Sequence, residues 1–215
     1  MTTIQVWSDL LCPFAYVGLL RLRRARARLG LDVQLEHHTF PLELFDGPHP
    51  RRGTDTEAVG VGRIEPEGQF RVWAGPDDQY PHTVLLAAEA VHAANAQGLE
   101  AGEELDLALR QAFWTHSRSI SHRKVILDVA GAVPAIDTEA LATALDSGRH
   151  RADVMADFAV AQTDMIKGSP TFVLADGSTA TNPGIEVHWD GPWAAGFPVI
   201  DADDATVYDE LLKRA

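Results

Sequence analysis

The chain carries one cysteine, Cys12, within Trp7-Ser8-Asp9-Leu10-Leu11-Cys12-Pro13-Phe14-Ala15. Pro13 suits the first turn of a helix, where its missing N–H costs nothing, so the thiol falls between a short apolar strand and a helix. Free N–H groups and the positive end of the dipole stabilise a thiolate there, lowering its pKa from about 8.5 toward about 3.5–7.5. That is the setting of a nucleophile. Asp9, if close and unpaired, works in the opposite direction by repelling a second negative charge. Taken without context, a lone cysteine reads as buried and inert, because free Cys is among the most buried residue types. The second candidate is Gly168-Ser169-Pro170-Thr171-Phe172-Val173, a proline immediately ahead of a strand. Its residues alone favour an ordinary trans bond, since only about one X–Pro bond in twenty is cis.

Other candidates carry blander readings. His37 and His38 alternate on a strand and point to opposite faces, so they cannot share one metal without distortion, and no third ligand stands at a recognised spacing. No metal site is expected. His116 and His122 flank a loop between helices without a nameable partner. Arg21, Arg23, Arg24, Arg26 and Arg28 form a basic helix face, read as a solvated face paired with local acids in preference to an anion site. Trp73, Trp114, Trp189 and Trp193 are large enough to line a pocket but fit core or interface positions better.

The elements that must position Cys12 follow from the pattern. Ile4 to Trp7 reads as a buried strand, and a helix runs from Pro13 until Gly30 stops it. From Leu31 to Leu44 apolar residues alternate with polar ones, beginning Leu31, Val33 and Leu35, which predicts a half-buried strand parallel to the first. The stretch from Asp46 to Gln79 is rich in Gly and Pro and predicts a long irregular loop. His82 to Arg149 reads as helical, with Ser121 as an N-cap, and Thr138–Leu145 and Ala152–Met165 continue the pattern. Beyond Gly168 come a strand at Thr171–Leu174, a turn at Asp176-Gly177, and a second strand near Ala180 or Ile185. Gly184 to Pro198 resists assignment, and Asp203 to Arg214 predicts a closing amphipathic helix. The order implies an α/β core with a helical insertion.

Composition narrows the partners. The 215 residues include 18 Lys+Arg against 31 Asp+Glu, a formal charge of −13, which argues against nucleic-acid binding because phosphate contacts need clustered cations. With 46% apolar residues the chain can bury a sizeable core as one domain, with or without a large insertion. No run approaches the roughly 18 apolar residues of a membrane span, and the start has no secretory pattern, so a soluble, cytoplasmic protein with no membrane partner is expected. The single cysteine forbids a disulfide within the chain and excludes zinc sites built from several thiolates.

Together, Trp7 through Gly18 and Gly168-Ser169-Pro170-Thr171 resemble the active-site segment and cis-proline loop of cytoplasmic DsbA-like thiol-disulfide oxidoreductases of the FrnE type. Pro41-Leu42-Glu43-Leu44 resembles the segment after that family's second strand, and His82 through Gly98 and Phe113 through Asp128 resemble its inserted helices. The resemblance spans nearly the whole chain. It implies a thioredoxin-like α/β fold with an inserted helical domain: residues 1–80 and 167–215 as the two parts of the thioredoxin-like domain, and 81–166 as the insertion. It implies Cys12 as the catalytic nucleophile. It also implies a substrate-binding surface of Pro13, Phe14, Ala15, Ser169, Pro170 and Thr171, in which Ser169 offers its backbone to the substrate and a cis Pro170 lies against the sulfur.

One departure limits the transfer of function. Where the family has Cys-x-x-Cys, this chain has Cys12-Pro13-Phe14-Ala15, and exchange through a mixed disulfide needs a second thiol to resolve it. That thiol must come from outside. The expected activity is therefore monothiol thiol-disulfide chemistry on disulfides or small-thiol adducts, with glutathione or mycothiol as co-substrate and no tightly bound cofactor. A homodimer is left open. The related kappa-class glutathione transferases and 2-hydroxychromene-2-carboxylate isomerases also lack the Cys pair, so a glutathione-dependent transferase or isomerase is the first alternative. A non-catalytic peptide-binding or chaperone module is the second.

Overall fold

The computed structural model describes residues 2–192 and 195–215. Strand β1 (Thr2–Ser8) leads through a short turn into helix α1 (Pro13–Leu29), which ends at Gly30, whose φ of 63° is left-handed. Strand β2 (Val33–Thr39) returns beside β1 in parallel, pairing Ile4 with Leu35 and Trp7 with His38. The second strand is shorter than the alternation from Leu31 to Leu44 predicts: Phe40 and Pro41 turn the chain into α2 (Glu43–Asp46). Strands β3 (Thr171–Val173) and β4 (Thr179–Thr181) complete the order β2-β1-β3-β4, with β3 antiparallel to both neighbours. This mixed sheet with its helices is the expected α/β architecture.

The Gly/Pro-rich stretch from Asp46 to Gln79 is not an irregular loop. It folds as α3 (Arg51–Val61) followed by two short 3-10 turns at Pro66–Gly68 and Asp77–Gln79. The glycines disguise a helical face: Thr54, Glu57, Ala58 and Val61 are buried at helical spacing. At Gly60 an added Cβ would sit 2.9 Å from the Pro198 ring, so the glycine permits β6 (Phe197–Asp203) to lie directly on α3. Strand β6 pairs antiparallel with β5 (Ile185–Asp190) in a separate two-stranded sheet. Both proposed positions for a second strand are thus occupied, Ala180 in the main sheet and Ile185 outside it. Asp203 belongs to β6, and the closing helix α9 starts later, at Val207–Lys213.

Between β2 and β3 also lie α4 (Leu85–Asn95), α5 (Leu99–Trp114), α6 (Arg123–Ala130), α7 (Thr138–Ser147) and α8 (Arg151–Ala161). The cap of α6 is His122, whose side chain makes no cap bond, and the Ser121 hydroxyl donates instead to the Thr83 carbonyl. One core joins this helical block to the start of α1: Leu105, Leu109, Trp114 and Ile126 pack in a cluster that includes Leu10, Leu11 and Tyr16. A second cluster sets Leu19 and Leu22 of α1 and Tyr208 and Leu211 of α9 against Ile4, Val6, Leu35 and Phe172. On the opposite sheet face, Trp7 and Val173 pack with Phe40, Ala161 and Ile166. The turn carrying Cys12 is therefore anchored from several directions by burial, the main driving force of folding.

Candidate functional site

Cys12 is the N-cap residue of α1, with extended backbone angles (φ −82°, ψ 113°) and Pro13 following in the first turn. The Ser169–Pro170 peptide bond is cis, and the two segments meet: the Cys12 Sγ donates to the Ser169 carbonyl at 3.2 Å. The Asp9 N–H donates to the Ser169 hydroxyl at 2.9 Å, a second tie between the same segments. Ser169 and Phe14 are half-buried, whereas Pro13, Ala15 and Pro170 are buried. Thr171 is fully buried and its hydroxyl is committed, donating to the Gly168 carbonyl at 2.8 Å and lying 2.8 Å from the Thr181 hydroxyl. Its side chain holds the loop in place, and the faces left for a ligand are those of Phe14, Gly168 and Ser169.

The electrostatics correct the simple helix-dipole expectation. Cys12 is only 5% exposed, and burial pushes its thiol up to about 11. Hydrogen bonds from the Ser169 side chain and the Ala15 N–H pull it down, and the charges of Glu57 and Asp9 push it further up. Desolvation of a thiolate outweighs the helix end because the sulfur has too little contact with water to keep the charge solvated. Donation to a carbonyl also favours the protonated form. Cys12 is therefore a thiol at neutral pH, and loss of its proton is a step of any reaction it enters.

Asp9 is not the unpaired charge that the sequence left open. Its carboxylate accepts the N–H groups of Leu11 at 2.7 Å and Leu42 at 3.0 Å and lies 3.5 Å from His49 Nε2. Burial alone would raise its pKa, but His49 and these N–H groups hold it below the usual carboxylate range. Asp9 thus clasps the active-site turn to the Pro41-Leu42 segment. Behind it, the fully buried Arg110 donates to the Asp9 carbonyl at 2.8 Å and to the Ser8 hydroxyl at 2.7 Å, while pairing with Asp106. Sequence reasoning missed His49, Glu57 and Arg110. The signal for Glu57 was present as a carboxylate on the apolar stripe of a helix, but the surrounding glycines concealed that helix.

The remaining candidates separate from the site. His37 faces Asp106 at 3.4 Å, and His38 stacks on Trp7 and meets Asp157 at 2.9 Å, so the two histidines do point apart. The arginine face is paired throughout: Arg21 with Glu65 and Asp203, Arg23 with Glu103 and Glu104, Arg24 with Glu65 and Glu67, Arg26 with Glu103, and Arg28 with Asp209. Trp73 and Trp114 are core residues at 4% and 1% exposure. Trp189 is half-buried on β5, and Trp193 lies outside the described residues. His116 borders a cleft between α5 and α6 together with Arg118 and Asp128, whereas His122 caps α6.

A lone thiol at a helix mouth, facing a proline loop on a β2-β1-β3-β4 sheet, defines a thioredoxin-like site. The chain belongs to the family of DSBA-like thioredoxin domains, a family of thiol-disulfide oxidoreductases whose model matches residues 3–188. Among solved structures, the probable DsbA oxidoreductase SCO1869 of Streptomyces coelicolor is similar at 21% identity, with 99% of this chain and 89% of that chain covered and a TM-score of 0.67. The cytosolic disulfide reductase DsbM of Pseudomonas aeruginosa, solved with glutathione (GSH), is similar at 17% identity, covering 83% and 89% of the two chains with a TM-score of 0.65. A 2-hydroxychromene-2-carboxylate isomerase is similar at 13% identity, covering 83% and 87% with a TM-score of 0.61. At these identities the likeness is one of fold. No curated protein matches the sequence. Among the described residues no helix is long and apolar enough to cross a membrane.

Proposed function

We propose that the chain is a monothiol thiol-disulfide oxidoreductase in which Cys12 attacks a disulfide or a small-thiol adduct and forms a mixed disulfide. The observation that carries this reading is the contact between the Cys12 sulfur and the Ser169 carbonyl at 3.2 Å, which sets the thiol against the loop that would hold a substrate. Phe14 and Ser169 offer the accessible contacts, Pro13, Ala15 and Pro170 form the floor, and Thr171 supports the loop. Because Ala15 cannot resolve the adduct, a second molecule of a small thiol such as glutathione or mycothiol does so. A reducing compartment, the cytoplasm, supplies such thiols in excess.

Incubation of the folded chain with oxidised glutathione, read by intact mass, tests the reading. One glutathione adduct per chain is expected, absent from Cys12→Ser and released by reduced glutathione. Failure to form an adduct in the folded state overturns the nucleophilic role.

The burial of Cys12 favours one second reading. A thiol held protonated can serve as a hydrogen-bond donor to a noncovalently bound thiolate, as a glutathione-dependent transferase or isomerase would require. In that case glutathione affinity survives Cys12→Ser and no adduct accumulates. Peptide binding that persists in Cys12→Ala, without thiol affinity or turnover, identifies a non-catalytic binding module.

A further inference from the structure

Four of the exposed large hydrophobic side chains, Val59, Val72, Phe197 and Val199, gather in one place, each between 38% and 54% exposed. Val59, Val72 and Phe197 line a hollow of about 600 Å³ beside α3, and Val59, Phe197 and Val199 line an adjoining one of about 580 Å³. A contiguous apolar patch rimmed by charge marks an interaction surface. Its charges lie in rows. Arg52, near the start of α3, borders the first hollow, and Arg63, just past the end of α3, borders the second. Both are exposed, and among the described residues neither side chain forms an ion pair. Strand β6 runs beside α3, with Phe197 toward Arg52 and Val199 toward Arg63. Across the hairpin, β5 sets Asp190 opposite Phe197, His188 opposite Val199 and Glu186 opposite Ala202. These three β5 side chains alternate onto one face and are exposed. His188 is taken up by Asp201 at 2.6 Å, whereas among the described residues neither Glu186 nor Asp190 forms an ion pair. From α3 to β5 the surface therefore runs as a basic row, an apolar row and an acidic row.

We propose that this face is a homodimer interface, occupied by a second copy of the chain related by a twofold axis that runs along β6. In a twofold interface the same patch serves both protomers and must be complementary to itself. An axis along β6 lays the α3 row of one protomer on the β5 row of its partner and keeps the position along each row. Arg52 then meets the partner's Asp190, Arg63 meets the partner's Glu186, and Phe197 and Val199 close on their own copies near the axis. An axis across the rows sets Arg52 against the partner's Arg63 and acid against acid, and such like-charge contacts suppress that arrangement. The charges also choose the occupant. An acidic partner suits the arginines but is repelled by the β5 row, a basic partner meets the reverse problem, and a copy of this chain satisfies both rows at once.

The experiment is sedimentation velocity on the full chain from about 1 to about 200 μM, for the wild type, Phe197→Asp, Arg52→Glu, Asp190→Arg and the last two combined. The wild type should pass from one chain to twice that mass as concentration rises. Phe197→Asp should weaken association at least about a hundredfold, the scale of a buried aromatic anchor. Arg52→Glu and Asp190→Arg should each weaken it about tenfold, and their combination should return to within about threefold of the wild type because the two positions meet across the axis. All three residues are exposed, so the thermal midpoint of the separated chain should not move. Should Phe197→Asp not fold, the charge variants decide. A wild type that stays a single chain throughout overturns the proposal and assigns the patch to a different partner. A dimer that survives Phe197→Asp unchanged lies on another face, and a combined variant no stronger than the single ones refutes the axis; either result also overturns the proposal.

Discussion

Replacing Arg110 with leucine should loosen the active-site turn and the helical core in one step. The guanidinium is 0% exposed and pairs with the buried Asp106 at 2.7 Å, while also donating to the Ser8 hydroxyl and the Asp9 carbonyl. Arg110→Leu removes the guanidinium from a buried ion pair and leaves Asp106 with His37 alone at 3.4 Å, a loss of about 3–5 kcal/mol. For a chain of this size that lowers Tm by roughly 6–20 °C. The pH dependence follows from Asp106. Burial alone would raise its pKa, but the charge of Arg110, followed by His37, holds it well below the usual carboxylate range. A depressed folded pKa contributes stability that is complete above the unfolded value of about 3.9 and drains away as pH falls below it. In Arg110→Leu the sign reverses: Asp106 is raised by burial, protonates more readily and relieves the penalty. The gap between wild type and variant should therefore narrow between pH 7 and pH 4 in urea denaturation. Asp106→Leu combined with Arg110→Leu should recover much of the loss. A loss under about 1 kcal/mol, a gap that widens on acidification, or a double variant weaker than the single would refute the reasoning.

Further outcomes test other parts of the structure. Thiolate absorbance should place the Cys12 titration near 11; the protonated thiol's contribution to stability is then intact below about 8.5 and falls as pH rises toward the folded value, and a transition below 9 contradicts the burial argument. Arg21→Ala should destabilise by about 1.5–3 kcal/mol in chemical denaturation, because it removes a buried guanidinium's charge-assisted bonds to Glu65 and Asp203 and leaves the 2%-exposed Glu65 to Arg24 alone. Arg28→Ala, on an exposed pair with Asp209, should leave the midpoint unchanged. Equal effects of the two arginines would contradict the dependence on burial. Ala15→Cys restores the Cys-x-x-Cys spacing, and the introduced thiol should displace glutathione from the Cys12 adduct as GSH, leaving a disulfide within the chain without an external resolving thiol; if glutathione remains attached to Cys12, the position is wrongly oriented for exchange.

Much of the frame is legible in local pattern. The apolar run Ile4–Trp7, Pro13 and Gly30 specify a strand, a helix start and a helix stop within a few residues, and the structure places all three. The arginines of α1 announce an ion-paired face by their type and spacing, although their acids lie far away in the chain. Helix α3 was hidden because Gly53, Gly60 and Gly62 lower intrinsic helix propensity, while burial against α1 and β6 overrides it. Phe40 and Pro41 likewise end β2 before the alternation of residue types does.

Residue type and order alone determined that this chain has one thiol, that the thiol stands between a strand and a helix, and that no second cysteine can close a disulfide with it. Only tertiary structure decided the state of that thiol. Its proton affinity depends on how much water reaches the sulfur and on which distant groups surround it: Ser169 from the far end of the chain, Asp9 clasped by Leu42 and His49, and Glu57 from a neighbouring helix. Electrostatic energies follow distance and dielectric in space, and neither is a property of neighbours in sequence. A helix end that would lower the pKa of an exposed thiol is therefore overruled by the desolvation of a buried one.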